Sequence, residues 1–398
     1  MLQGVNYLVP LILLPYLARV LGTSNYGHYI MVLSVANYFV MLTDFGYNLY
    51  VSKRISQKGT VKNCISNIFS ATLILKSIVA VILSIGVIIF STFSGGSQYL
   101  FAFSILSIGG SVMTPTWFFQ GMEIIKKLSL MSIIGRVIIL ISMLTFVHGE
   151  SDVEIALFSQ CSLGIIVGLM SILYIKRNFN IRLKLLKMSY LKIVFIKAFP
   201  LFIAAASVNV YVASTPLILG WCSNVEQVSI FSTADKLRFA IVGFFSVLTG
   251  VFYPKISKNI LINQKKANEM IKKSFQYQIP VAIFLSSTMF LFSEKIITIL
   301  FGKDYFNSIL ILKTLSPLIT IIPVSIILSN YILLPYGFKK IYSILPIFMA
   351  CIHIVICTLL SIRFGAIGAA TSTLIVESLS MISLIVTVYF YRKKIFSL

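Results

Sequence analysis

The chain is an almost unbroken succession of apolar runs, with its basic residues gathered in the short gaps between them. A run of roughly 20 apolar residues crosses a hydrocarbon core of about 30 Å as one helix. Twelve such spans are expected, near 2–21, 28–52, 65–90, 99–118, 128–147, 153–175, 191–219, 228–254, 276–292, 307–334, 341–361 and 365–391. Of 398 residues, 58% are hydrophobic and only 11% charged, against about 25% charged in a soluble domain. The reading is an all-α integral membrane protein.

A net charge of +22 would suggest a nucleic-acid partner in a soluble chain. Here the charge sits at one set of gaps, so no nucleic acid is expected. Gaps after even-numbered spans, with the C-terminal tail, hold 24 Lys and Arg, the largest group running from Lys176 to Lys197. Gaps after odd-numbered spans hold only Arg19, Lys295, Lys303 and Arg363. Basic loops stay in the cytoplasm, so both termini are expected there.

The long basic linker after the sixth span divides the chain into six spans and six, 1–178 and 179–398. Faint internal echoes agree. Pro200–Ser257 repeats the plan of Pro10–Ser56, with Leu219-Gly220 for Leu21-Gly22, Phe231 for Tyr29, and Ile256-Ser257 for Ile55-Ser56. Trp117 to Met122 likewise resembles Leu333 to Phe338, with Gly121 set against Gly337. Six-span copies enter the membrane in the same direction, as a parallel pseudo-repeat, and such repeats place a central cavity near the midplane.

Much chemistry is excluded. No GxxxxGK[ST], HExxH or GxSxG occurs, and no loop is large enough for a nucleotide domain. The five cysteines are odd in number and scattered, without metal-ligand spacing. No cofactor, metal site, disulfide framework or catalytic residue is expected, and the chain is read as no enzyme. The first span begins almost at Met1, without a charged leader or small-residue cleavage site, so no cleavable signal peptide is expected. Whether Met1 is the true start stays open.

Eight charges fall inside the spans: Asp44, Lys76, Arg136, Asp235, Lys236, Arg238, Lys313 and Glu377. At about 2.5 kcal/mol or more each at a helix centre, they would cost roughly 20 kcal/mol facing lipid. Ordinary folds are stable by only about 5–15 kcal/mol. They must pair or line a watery cavity. Counted along straight helices, Asp44 and Arg136 reach similar depths and form a candidate pair, whereas Lys76 has no evident carboxylate at its own depth. Lys76, Arg136, Arg238 and Lys313 are the candidate cations for an anionic substrate head. Snorkelling to the surface is the alternative for Lys236 and Lys313. Asp44, Asp235, Glu377 and His353 are candidates for ion coupling or structural pairing. Pro10, Pro15, Pro216, Pro317 and Pro323 are interior enough to bend helices. Tyr26, Tyr29, Trp117, Phe118 and Trp221 fall near span ends, where an interfacial belt is the plain reading.

Four stretches carry a family resemblance: PYLARVLG (Pro15 to Gly22), YGHYI (Tyr26 to Ile30), TDFGYNLYVSKRIS (Thr43 to Ser56) and WFFQGME (Trp117 to Glu123). They resemble the Wzx O-antigen and polysaccharide flippases of the multidrug/oligosaccharidyl-lipid/polysaccharide exporter superfamily. The resemblance implies twelve transmembrane helices in two six-helix bundles. It also implies a bacterial inner-membrane flippase moving an undecaprenyl-pyrophosphate-linked oligosaccharide by alternating access, coupled to H+ or Na+. A polysaccharide polymerase and chain-length proteins are the implied partners, beside membrane lipids. A multidrug/cation antiporter of the same superfamily is the nearest rival and would favour an acidic interior; this one has five basic and three acidic residues. A membrane-embedded polysaccharide polymerase would need a large external loop, and the outer loops are short.

Overall fold

The computed structural model describes residues 2–58, 62–93, 95–179, 181 and 183–392, which are predominantly helical and include no strand. Met1, Arg182, Lys393 and Lys394, used in the arguments above, lie outside the described residues. The helices are α1 Leu2–Asp44, α2 Tyr47–Lys58, α3 Lys62–Phe93, α4 Ser104–Met113, α5 Thr116–Gly121, α6 Ile125–Phe146 and α7 Val153–Phe179. They continue with α8 Met188–Cys222, α9 Val225–Ile262, α10 Gln264–Leu291, α11 Ser293–Phe301, α12 Ser308–Leu315, α13 Leu318–Ile326 and α14 Lys339–Phe390. The chain divides into two compact units, one of Met1–Leu13 and His28–Ala213, the other of Leu14–Gly27 and Ser214–Leu398.

Among the described residues, eight helical stretches are long and apolar enough to cross a membrane. The count is nine if α10 and α11, bent by 70° at their junction, form one broken span. Some expected spans are thus merged and others interrupted. α1 and α14 run for 43 and 52 residues, about twice what one crossing needs, and each contains one glycine of non-helical backbone, Gly22 and Gly365. Span 2 (28–52) breaks at Phe45 and Gly46. Span 4 (99–118) is a 3-10 turn over Gly96–Phe103, then α4, then α5 after Pro115. Span 10 (307–334) breaks between α12 and α13 beside Pro317, and passes into a π-helix over Ile327–Leu333. Helical backbone continues through Pro15 and Pro216, and the non-helical residues inside α1 and α14 are glycines.

In the first unit the WFFQGME stretch is core. Trp117, Phe118 and Phe119 are fully buried with Tyr47, Val51, Ile55 and Phe69, and the Phe69 ring meets Trp117 at 4.9 Å. A Cβ on Gly121 would lie 2.7 Å from Ile55 Cβ and 2.9 Å from the Ser52 carbonyl, so a glycine is required where α5 docks on α2. The interfacial belt expected of Tyr26, Tyr29, Trp117 and Phe118 is therefore corrected: all four are buried, and only Trp221, 81% exposed, fits it. Proximity to a span end did not decide burial, because α5 is a six-residue helix packed inward.

After α5 the chain turns by a Schellman motif. Ile124 N–H donates to Phe119 O (2.9 Å) and Glu123 N–H to Gln120 O (3.1 Å), with Glu123 at φ 60°. The same pair of bonds recurs in the second unit, from Phe338 to Leu333 O (2.9 Å) and from Gly337 to Leu334 O (3.2 Å), with Gly337 at φ 89°. The geometry equates 123 with 337, two residues away from the sequence pairing of Gly121 with Gly337. One glycine is there for space and the other for its backbone angle.

α4 and α7 approach backbone to backbone. A Cβ on Gly110 would sit 2.6 Å from the Gly164 carbonyl carbon, and one on Gly168 would sit 2.5 Å from Met113 Cβ. Gly164 and Gly168 form a GxxxG pair, the spacing that lets membrane helices touch closely.

The second unit includes Leu14–Gly27. Arg19 Nε donates to Leu300 O (2.8 Å) and its Nη2 to Ile299 O, satisfying carbonyls at the end of α11. Tyr305 is fully buried; its hydroxyl donates to Ala18 O (3.0 Å) and accepts from Ser229 (3.2 Å). α14 folds back at Gly365: a Cβ on Gly368 would lie 2.1 Å from Leu360 O, eight residues away and about 12 Å along a straight helix. Gln227 of α9 closes this turn by accepting from Ala366 N–H at 2.9 Å.

Gly110→Leu is expected to destabilise the first unit by about 1–3 kcal/mol through overpacking. Thermal unfolding of the purified protein followed by size-exclusion chromatography should show a lowered midpoint.

Candidate functional site

The polar centre of the first unit is built on the break after Asp44. Asp44 is the last residue of α1, and Phe45 and Gly46 follow at φ 39° and 70°. Phe45 stacks on Phe195 and Phe202 of α8, each at 4.5 Å, which fixes the corner. A carboxylate at a helix C-terminus faces unpaired carbonyls and an unfavourable dipole, so it needs a cation.

Lys76 of α3 supplies it. Its Nζ donates to Asp44 Oδ1 at 2.7 Å and to Ser111 O of α4 at 2.6 Å. Ser111 Oγ donates to Asp44 Oδ1 at 3.2 Å and Asn48 Nδ2 to Oδ2 at 3.2 Å. Lys76 is 0% exposed, while the Asp44 side chain is 31% exposed. The pair is asymmetric, with its cation sealed and its anion reachable.

What Asp44 reaches is a cavity of about 300 Å³ within this unit. Asn37, Asp44, Ser107, Ser111, Thr114 and Gln160 give it a polar wall of hydroxyls, amides and one carboxylate. Thr114 Oγ1 donates to Gly164 O at 3.0 Å, so the close α4–α7 contact and the cavity share a wall.

Two expectations are corrected. Asp44 pairs with Lys76, so Lys76 does have a carboxylate at its depth. The suggested Asp44–Arg136 pair does not form: both Asp44 oxygens already accept from Lys76, Ser111 and Asn48, and Arg136 on α6 is half-buried with Nε unbonded. The depth count treated span 2 as one straight helix, whereas the chain breaks beside Asp44.

The second unit carries a second pair. Arg238 on α9 is buried and donates from Nε (2.8 Å) and Nη2 (2.5 Å) to Asp235 Oδ1, one turn before it. Lys236 is exposed. Lys313 is half-buried near the end of α12 and makes no ion pair among the described residues. His353 is buried, with Nε2 sharing a hydrogen with Thr215 Oγ1 at 2.9 Å. Glu377 is half-buried. His353 and Glu377 lie twelve residues before and after Gly365.

Asn48 was findable in the sequence as the i+4 neighbour of Asp44. Ser111, Thr215, Ser107 and Gln160 were not, since only tertiary contacts bring small polar residues of separate helices together.

Removing one member of a buried pair costs about 3–5 kcal/mol by stranding the other. Asp44→Asn is therefore expected to lower the thermal midpoint sharply. Asp44→Asn with Lys76→Met should recover most of the loss, measured by the same unfolding assay.

The sequence profile of a family described as polysaccharide biosynthesis proteins matches residues 1–260. A protein of Escherichia coli (strain K12), named as a candidate O-antigen transporter, is 28% identical over 381 residues, 95% of this chain and 92% of its own. Among solved structures, the lipid II flippase MurJ in an inward closed conformation superposes with a TM-score of 0.78 at 15% identity, covering 98% of this chain and 87% of its own. An inward-facing multidrug resistance transporter of the MATE family gives 0.76 at 13% identity, covering 96% and 94%. At these identities the two structures share the fold.

Proposed function

Because the chain belongs to the polysaccharide biosynthesis protein family, we propose that it is a flippase for a lipid-linked oligosaccharide. Its cargo in this reading is an undecaprenyl-pyrophosphate-linked repeat unit of O-antigen or capsule, carried across the bacterial cytoplasmic membrane by alternating access. Twelve spans in two six-helix halves, 1–178 and 179–398, with both termini cytoplasmic, belong to the same proposal. A polysaccharide polymerase and chain-length proteins are its proposed partners.

The observation that carries the reading is the pairing of interior cations with carboxylates in both units, Lys76 with Asp44 and Arg238 with Asp235. A pyrophosphate head competes for Arg238, with Arg136 and Lys313 as further cations; Lys76, sealed behind Asp44, becomes a contact only when the Asp44 corner opens. Coupling of cargo to H+ at Asp44 or Asp235, with Na+ as the other candidate ion, belongs to the same proposal. Glu377 and His353 are the further coupling candidates.

The fold is shared with a multidrug transporter, and that keeps a drug/cation antiporter as the alternative. Five basic against three acidic residues within the expected spans favour the anionic cargo.

Deleting the gene is expected to abolish surface polysaccharide and to accumulate the lipid-linked unit, with this chain restoring both. Arg238→Ala should cut surface polysaccharide at least about tenfold, the scale of one charge-assisted contact, at unchanged protein level in the membrane. Normal polysaccharide removes Arg238 from the cargo site. In reconstituted vesicles Glu377→Gln should lose pH-gradient dependence of lipid translocation; an unchanged dependence takes Glu377 out of coupling.

A further inference from the structure

The outer face of α3 carries a second cavity, apart from the Asp44 site. It is an open furrow of about 700 Å³ lined by Leu73, Ile74, Ile78, Val81, Ile82 and, across from them, Leu183 and Leu185 of the α7–α8 linker. The linker is held against α3 by Lys184 N–H donating to Ser70 Oγ at 3.0 Å. Leu183 and Leu185 are 70% and 99% exposed. Leucines held in that state beside an apolar helix face mark a surface meant for hydrocarbon.

Its length and charge specify the hydrocarbon. From Ser70 to Ile82 is twelve residues, about 18 Å of helix, or slightly more than one leaflet of a core about 30 Å thick. The linker's side chains between 183 and 188 alternate between leucine-rich and basic positions, with Lys184 and Lys187 exposed and no acidic residue among them. An apolar trough about one leaflet long, with Lys184 in its wall and the exposed Lys187 three residues further along the linker, is complementary to a lipid that has both a chain and a phosphate.

We propose that this furrow is a binding site for an anionic phospholipid of the leaflet on the linker's side. One acyl chain lies along α3, and Lys184 and Lys187 meet the phosphate. The site holds membrane lipid rather than cargo, so it stands or falls apart from the flippase reading.

The test uses the full-length protein exchanged into mixed micelles with dioleoyl phosphatidylglycerol or dioleoyl phosphatidylcholine, with bound lipid counted by native mass spectrometry. The unaltered protein is expected to retain phosphatidylglycerol preferentially. Lys184→Gln with Lys187→Gln should weaken that retention roughly 30-fold, at about one kcal/mol for each lysine. Val81→Trp, which plugs the trough and leaves both lysines, should weaken it as well. Equal retention of the two lipids, or full retention in Val81→Trp, overturns the site. Displacement by undecaprenyl phosphate at lower concentration than by phosphatidylglycerol also overturns it, assigning the trough to an isoprenoid chain. A diazirine-labelled phosphatidylglycerol on the unaltered protein reads the site without any substitution. Crosslinks concentrated on 73–82 and 183–185 support it, and crosslinks spread evenly over the apolar helices reject it.

Discussion

An ammonium group fully withdrawn from water is the constraint around which the first unit is arranged. Lys76 has no exposure, and an isolated charge in such surroundings is untenable. It is tolerated because α1 ends where its final carboxylate can reach α3, and because α4 turns a backbone carbonyl toward the same nitrogen. The break at Phe45 and Gly46 is therefore part of the charge's environment. A continuous helix there would move Asp44 off its corner and leave Lys76 with one neutral acceptor. The same reasoning ties in the small-residue contact of α4 with α7, since Ser111 and Thr114 sit on the helix that Gly110 lets approach Gly164.

The two units meet the problem of buried charge differently. In the first the partners come from separate helices, so the pair joins α1, α3 and α4. In the second Asp235 and Arg238 are one turn apart on α9, so that pair forms wherever the helix forms. Breaking the first pair disturbs packing between helices; breaking the second leaves the helix able to stand. An anion arriving at Arg238 competes with a local partner, while one arriving at Lys76 competes with a whole corner of the fold.

The membrane class, the helical content and the interior charges were legible because they depend on composition and run length alone. Asp44 and Lys76 were both singled out, yet their pairing was missed. Depth counting assumes straight helices, and the chain breaks beside Asp44. Trp117 and Phe118 were misplaced for a related reason: α5 has the composition of a span end but the length of one and a half turns, so it folds inward. A Schellman turn closes both Trp117–Glu123 and Leu333–Phe338, two residues out of the register of the sequence pairing. Gly121 and Gly337 share a letter but answer different demands, and no single-sequence comparison separates those demands.

The fold-back at Gly365 depends on an acceptor from elsewhere in the chain. Ala366 begins a new helical arm, and its N–H, like the other first amides of a helix, has no partner within that arm. Gln227 provides one from 139 residues earlier. Because synthesis is vectorial, α9 is already made when the two arms of α14 emerge. The hairpin therefore closes onto a waiting side chain, and the turn at Gly365 is completed by a template laid down well before it.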